Sequence, residues 1–306
     1  MRLANLRGRL TLVTPGGVVD VATASDGRFG PDPQAIFDDW TPFRRWADDL
    51  GLRVGDPGEV APSSNGHLDP KALGPVVPRP RQIFAVGLNY VDHSAESGFT
   101  QPAQPMIFTK FASCLTGPTG PITLSSDTVD WEVELVVVIG VTASRVTVDR
   151  AWDHVAGLTV GQDLSDRALQ MRGVPPQFSL AKSFAGYGPI GPVLTTPDEV
   201  TDRDDLELSC LINGEVVQHG RSRDMVFPVP VLISYLSAVC PLYPGDLIFT
   251  GTPPGVGFGR SPARYLSPGD VLRTRISQLG ELRHECVAAT DSTDPATTLP
   301  GGRKPT

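Results

Sequence analysis

The stretch "VDWEVELVVVIG", residues 129 to 140, constrains the fold more than any other in this chain. Leu135 to Ile139 form an apolar run of the kind that sits inside a β-sheet, yet Glu132 and Glu134 stand just ahead of it, two positions apart. Side chains alternate along a strand, so the two glutamates project to one face while Val133 and Leu135 project to the other. Taken alone, such a pair reads as a solvated strand face. If it is buried, the two negative charges repel and each costs several kcal/mol to desolvate unless a positive charge compensates. A metal cation is the expected compensator.

The rest of the chain sets the frame around that strand. Its 306 residues, 40% of them hydrophobic, suffice for one large domain or a large one with a small one. With 26 basic against 34 acidic residues and no basic cluster, nucleic-acid or lipid-surface binding is not expected. The four cysteines, Cys114, Cys210, Cys240 and Cys286, lie far apart without metal spacing and read as reduced thiols. No apolar stretch approaches about 18 residues, and the N-terminus has no signal-like apolar core, so a soluble, cytoplasmic protein is expected.

Glycine (32) and proline (30) are dense enough to require many turns and short strands. "GRLTLVT" and "GVVDVATA" flank a Pro15-Gly16-Gly17 turn and read as a hairpin, followed by one or two helices in "DPQAIFDDWTPFRRWADDLG". These make a small N-terminal unit that, with the first part of a Gly/Pro/Ser-rich connector over 56–80, occupies residues 1–75. The main body is expected over 76–290. Its short strands are predicted at Ile83 to Val86, Met106 to Lys110, Glu132 to Ile139, Val155 to Gln162, Glu207 to Ile212, Leu247 to Thr250 and Val271 to Ile276. Helices are predicted near Ser165 to Met171 and after Pro228. Residues 291–306 lack apolar periodicity and read as a disordered tail.

A third carboxylate adds to the glutamate pair. Asp163 ends an apolar strand at the entrance to a helical segment, where it reads equally as a helix cap or as a ligand. Several separated segments then resemble, together and in order, the fumarylacetoacetate hydrolase family. They are "GLNYVDHSAESG", "PMIFTKFASCLTGP", "VDWEVELVVVIG", "GQDLSDRALQ", "FSLAKSFAGYGPIGP", "LINGEVVQHGRSRDMVF" and "YPGDLIFTGTPPGVG", spanning roughly residues 80 to 280.

That resemblance implies an α+β, predominantly β fold with a mixed β-roll core behind a small N-terminal α/β segment, assembled as a homodimer. It implies that Glu132, Glu134 and Asp163 hold magnesium or manganese, which suits three hard oxygen donors. It places a catalytic dyad at His93 and Glu96, one helical turn apart, on a segment resembling a lid, and an active-site lysine at Lys182. Tyr90, Arg167, Gln170 and Thr252 match substrate-binding positions, although Arg167 also reads as a surface charge and Tyr90 as core. The implied reaction is metal-dependent hydrolysis of a carbon–carbon bond in a 2,4-dioxo acid, an acylpyruvate or fumarylpyruvate, through a metal-stabilised pyruvate enolate. An oxaloacetate-type decarboxylase or a keto–enol isomerase could use the same site, and a non-catalytic binding homologue is a further alternative. Three positions depart from the family pattern: Gln162 in place of asparagine, Asp166 in place of a small residue, and Ala168 in place of an acid.

Overall fold

The computed structural model describes residues 1–50, 68–96 and 100–289, and for residues 93–95 the backbone alone. The first part of the expected connector, residues 56–67, and the expected tail at 291–306 lie outside the described residues.

The run at Leu135 to Ile139 does lie inside a sheet. Strand Val133–Ile139 is buried along its whole length and pairs antiparallel with Val155–Gln162 on one side and Leu247–Phe249 on the other. Val133, Leu135, Val137 and Ile139 join one apolar cluster with Leu208, Ile212, Leu272 and Leu282. Val136 and Val138 point the other way, into a second cluster with Leu12, Phe37, Trp40 and Phe43. Both faces are covered, which is why the sequence shows a continuous apolar run and not an alternation.

Eleven of the described strands form one sheet. Its path runs from Gly17–Asp20 through Arg9–Thr14, Arg2–Leu6, Gly188–Thr195, Val155–Gln162, Val133–Ile139, Leu247–Phe249 and Ile83–Gly87 to Met106–Thr109, with two short branch strands. A five-stranded sheet, Glu215–Arg221, Glu207–Ile212, Val271–Ile276, Gly280–Ala288 and Thr119–Leu124, packs on its first face. The expected N-terminal hairpin is present as Arg9–Thr14 with Gly17–Asp20. Strand Arg2–Leu6 lies beside it and pairs with Gly188–Thr195, so the N-terminal segment extends the eleven-stranded sheet and shares its second core. The chain is thus α+β and predominantly β, with a small N-terminal α/β segment, as expected.

The helices follow local chemistry. Residues 31–50 form a 3-10 turn, Ala35–Phe37, and helix Trp40–Asp49, whose Trp40, Phe43 and Ala47 face inward. Pro228 precedes helix Val229–Val239, which stops at Cys240 ahead of Pro241, since a proline cannot continue the hydrogen-bond ladder. The helix expected over Ser165 to Met171 is shorter: Ser165–Asp166 pair with Val129–Asp130 as a two-residue ladder, leaving one helical turn at Arg167–Gln170. All four cysteines are free, and Cys114, Cys210 and Cys286 are buried.

Candidate active site

The site forms where strand Val133–Ile139 begins and its antiparallel partner Val155–Gln162 ends. Val133 pairs with Gln162, and one step further the Asp163 N–H donates to the Glu132 carbonyl at 2.9 Å. This register brings carboxylates that are 31 residues apart in sequence against each other. One oxygen each from Glu132, Glu134 and Asp163 lies within 4.8 Å of the others, and all three residues are buried. Asp163 is not a helix cap; that role falls to Asp166, which accepts from the Leu169 N–H at 3.0 Å.

Two glutamines hold the beginning of the strand. Gln162 Oε1 accepts the Glu132 N–H at 2.8 Å, and Gln218 Oε1 accepts the Val133 N–H at 2.9 Å. Backbone donors that have no ladder partner are thereby satisfied without water. The departures from the family pattern are accommodated: Gln162 does this structural work, Asp166 caps a helical turn, and the side of the turn bearing Ala168 faces solvent.

Cations surround the carboxylates. Lys182, buried just past a turn of helix at Phe178–Ala181, donates to Glu132 Oε2 at 2.6 Å and to Asp163 Oδ2 at 2.8 Å. Burial disfavours its ammonium, but the charges of Asp163 and Glu132 outweigh burial and raise its pKa above the ordinary lysine value. Arg167 is 7% exposed, which overturns its surface-charge alternative; it donates to Asp130 Oδ2, Glu132 Oε1 and Gln170 Oε1 at 2.7 to 2.9 Å. Burial opposes its charge as well, and Asp130 and Glu132 more than restore it.

Glu134 differs from the other two carboxylates. It accepts the Gly251 N–H at 2.8 Å, and among the described residues no cation lies within ion-pair distance of it. Burial, then the charges of Asp163 and Glu132, push its pKa well above the usual carboxylate range. Gly251 has a φ of +96°, and a Cβ there would come within 2.7 Å of the Asn89 side chain, so the amide reaches Glu134 on a turn suited to glycine.

Asp130, Glu132, Glu134 and Asp163 thus face Lys110, Lys182 and Arg167, and Glu134 is the carboxylate left without a cation among the described residues, one whose charged form needs a further cation. Hard oxygen donors, mutual proximity and a carboxylate without a cation fit a divalent ion of the magnesium or manganese type. Zinc would recruit histidine or cysteine, and the group contains neither.

Several of the remaining expected residues share a cleft with this centre. Glu132, Glu134, Arg167, Gln170, Lys182 and Thr252 line one cleft, whose apolar side is formed by Val86, Leu88, Phe108, Phe178 and Phe258. The Thr252 hydroxyl is engaged within the protein, donating to the Val133 carbonyl and accepting from Gln218. Tyr90 is 2% exposed and packs in the first core cluster, where burial and the nearby Glu134 charge raise its pKa. Glu96 ends helix Val91–Glu96, and its carboxylate accepts the Gly255 N–H at 2.9 and 3.0 Å. The His93 side chain lies outside the described residues. Three contributors were not singled out from the sequence: Asp130, although it continues the two-residue alternation of Glu132 and Glu134, and Lys110 and Gln218, single polar residues within segments that carry the family resemblance.

The family profile described as fumarylacetoacetate (FAA) hydrolase C-terminal matches residues 82–287. This chain belongs to the fumarylacetoacetate hydrolase family. Within the family it is 45% identical over 217 residues to the human "Oxaloacetate tautomerase FAHD2A, mitochondrial", a match covering 70% of this chain and 69% of that one. A solved structure from Mycobacterium smegmatis, provisionally named an HpcE protein, is 54% identical, covers 94% of this chain and 100% of its own, and superposes with a TM-score of 0.87. Maleylpyruvate hydrolase from Sphingobium sp. SYK-6, solved with manganese(II) and pyruvate, is 29% identical over 95% of this chain and 100% of its own, with a TM-score of 0.73. Relatives named for an activity are enzymes of this family.

Proposed function

We propose that this chain hydrolyses a carbon–carbon bond in a 2,4-dioxo acid of the acylpyruvate or fumarylpyruvate type, with Glu132, Glu134 and Asp163 as ligands of magnesium or manganese. The observation that carries this reading is the buried carboxylate trio with Lys182 spanning two of its members. A divalent ion, when bound, supplies Lewis acidity toward the paired carboxylate and oxo oxygens of such a substrate.

The protein's own groups divide the remaining work. Lys182 spends two of its three N–H bonds on Glu132 and Asp163 and has one left for a substrate oxygen on which negative charge develops. Arg167, fixed by Asp130 and Gln170, holds Glu132 in place and lends positive charge to the same wall of the cleft. Gln170 and Thr252 position the substrate from the cleft wall, and Tyr90 supports that wall from the core. His93, assisted by Glu96, takes a proton from water. The hydroxide adds to the distal carbonyl, the carbon–carbon bond breaks, its electron pair leaves as a pyruvate enolate, and protonation at carbon gives pyruvate beside the second acid. Phe108, Phe178 and Phe258 keep bulk water from that enolate.

Interconversion of the keto and enol forms of oxaloacetate is the second reading, favoured by the name of the 45% identical human relative. It needs the same grip on a 2-oxo acid but no attacking water. Decarboxylation of oxaloacetate would pass through the same enolate. Incubation of acylpyruvates, fumarylpyruvate and oxaloacetate with enzyme and metal in oxygen-labelled water separates these reactions. Label in the new carboxylate with release of pyruvate supports hydrolysis; enol loss without label or cleavage supports the tautomerase, and carbon dioxide release the decarboxylase.

A homodimer and a cytoplasmic location complete the proposal. No helix among the described residues is long and apolar enough to cross a membrane, and the human relative's name places that protein in mitochondria.

A further inference from the structure

Lys110 follows strand Met106–Thr109, and its side chain has no solvent exposure. The ammonium donates to Asp163 Oδ1 at 2.6 Å, to the Tyr187 carbonyl at 3.2 Å and to the Lys182 carbonyl, so three N–H groups meet three acceptors. Space for the stem depends on Gly188, where a Cβ would lie 3.3 Å from Lys110 Cε, and the Phe249 ring stands 5.8 Å from Nζ. A group so enclosed and so fully bonded does not reach a substrate. It touches instead the outer oxygen of Asp163 and the backbone of the residue whose side chain holds the inner one.

We propose that Lys110 is a positioning residue for the metal centre. Through Oδ1 it fixes the rotation of the Asp163 carboxylate, so that Oδ2 stays on the side shared with Glu132 and Lys182. Through the Lys182 carbonyl it ties the turn bearing that lysine to the same carboxylate. This inference rests on the reading that Glu132, Glu134 and Asp163 hold a divalent ion.

The alternative role, balancing buried charge, predicts the opposite sign. An ammonium repels a divalent cation, so a lysine kept for charge alone weakens ion binding, and its removal strengthens it. A lysine that orients a ligand strengthens binding, and its removal weakens it. The discriminating measurement is calorimetric titration of Mn²⁺ into the wild type, Lys110→Met, Lys110→Gln and Lys110→Arg, each checked for folding by circular dichroism.

Lys110→Met is expected to bind Mn²⁺ about tenfold or more weakly than the wild type. Lys110→Gln, which keeps donors without charge, falls between the two. Lys110→Arg keeps the charge but displaces its donors, and it too binds more weakly. Wild-type or tighter binding by folded Lys110→Met or Lys110→Gln overturns the assignment. Should both unfold, unchanged affinity in Lys110→Arg overturns it and weakened affinity supports it. A wild type that binds no Mn²⁺ removes the metal reading and this assignment with it, a result distinguishable because the unmodified protein is then silent.

Discussion

Arg167 shows how much of this site is electrostatic scaffolding. Its guanidinium pairs with Asp130 and Glu132, both buried, and removing it takes a cation from each. Lys182 still pairs with Glu132, so the cost concentrates on Asp130. Arg167→Met is expected to lower unfolding free energy by about 3–5 kcal/mol, measured by urea denaturation of the metal-free protein. His284 gives a pH-dependent counterpart away from the cleft. Burial pushes its imidazole from 6.5 down to about 4, while a hydrogen bond with the Gly117 carbonyl offsets only part of that. Between those values the unfolded chain takes up a proton that the folded chain refuses, so stability is withdrawn as pH falls through the window, and nothing is lost above it. From about pH 7.5 to about pH 4, the wild type should lose roughly 3 kcal/mol more than His284→Gln; equal losses would contradict the account. The legibility of single residues varied with their chemistry. Glu132 and Glu134 stood out because two carboxylates beside an apolar strand demand a reason, whereas the place of Asp163 beside them and the role of Lys182 came through the resemblance. Lys110 gave no signal, since a lone lysine is ordinarily solvated, and Asp130, two positions ahead of Glu132, was passed over; only the folded chain shows either one enclosed.

At the level of elements, apolar continuity was the reliable guide and proline the misleading one. Val133–Ile139 and Val155–Gln162 lie where their branched apolar residues predict. Gly188–Thr195 was not among the predicted strands, its apolar residues being interrupted by Pro189, Gly191 and Pro192; its pairing with Val155–Gln162 shifts register between Leu158 and Val160. Thr119–Leu124 hid behind Gly120 and Pro121, which its edge position in the five-stranded sheet tolerates. One or two helices were expected across residues 31–51, and the structure gives helix Trp40–Asp49 after the 3-10 turn. Phe43, fully buried, contacts Phe29, Trp40 and Trp46 at ring separations of 5.4 to 5.9 Å in the core that also covers Val136 and Val138. Phe43→Ala is expected to cost about 3–5 kcal/mol. Because that core is shared with the large sheet, unfolding followed by far-ultraviolet circular dichroism and by the divalent-ion site should shift together; separate transitions would show the N-terminal segment to be independent.

Across the whole molecule, two sheets and an N-terminal segment enclose the middle of one strand and leave its beginning at a cleft. The enclosing layers make water scarce around Glu132, Glu134 and Asp163, and scarcity of water is what makes an excess of negative charge there costly without a bound cation. A ligand that binds the folded chain alone stabilises it, so Mg²⁺ or Mn²⁺ should raise the melting temperature and chelation should return it to the starting value. Local pattern marked the paired glutamates, and the fold class and the third carboxylate came with the family resemblance; neither indicated that strand Arg2–Leu6 joins the large sheet, a pairing made between residues nearly two hundred positions apart. The most direct test is calorimetric titration of Mn²⁺ into the metal-stripped wild type and into Asp163→Ala, with pyruvate release from acylpyruvate followed in parallel. The account requires one ion per wild-type chain, return of activity as the ion binds, and loss of both in the variant. Full turnover by the stripped protein, or unchanged ion binding in folded Asp163→Ala, would contradict it.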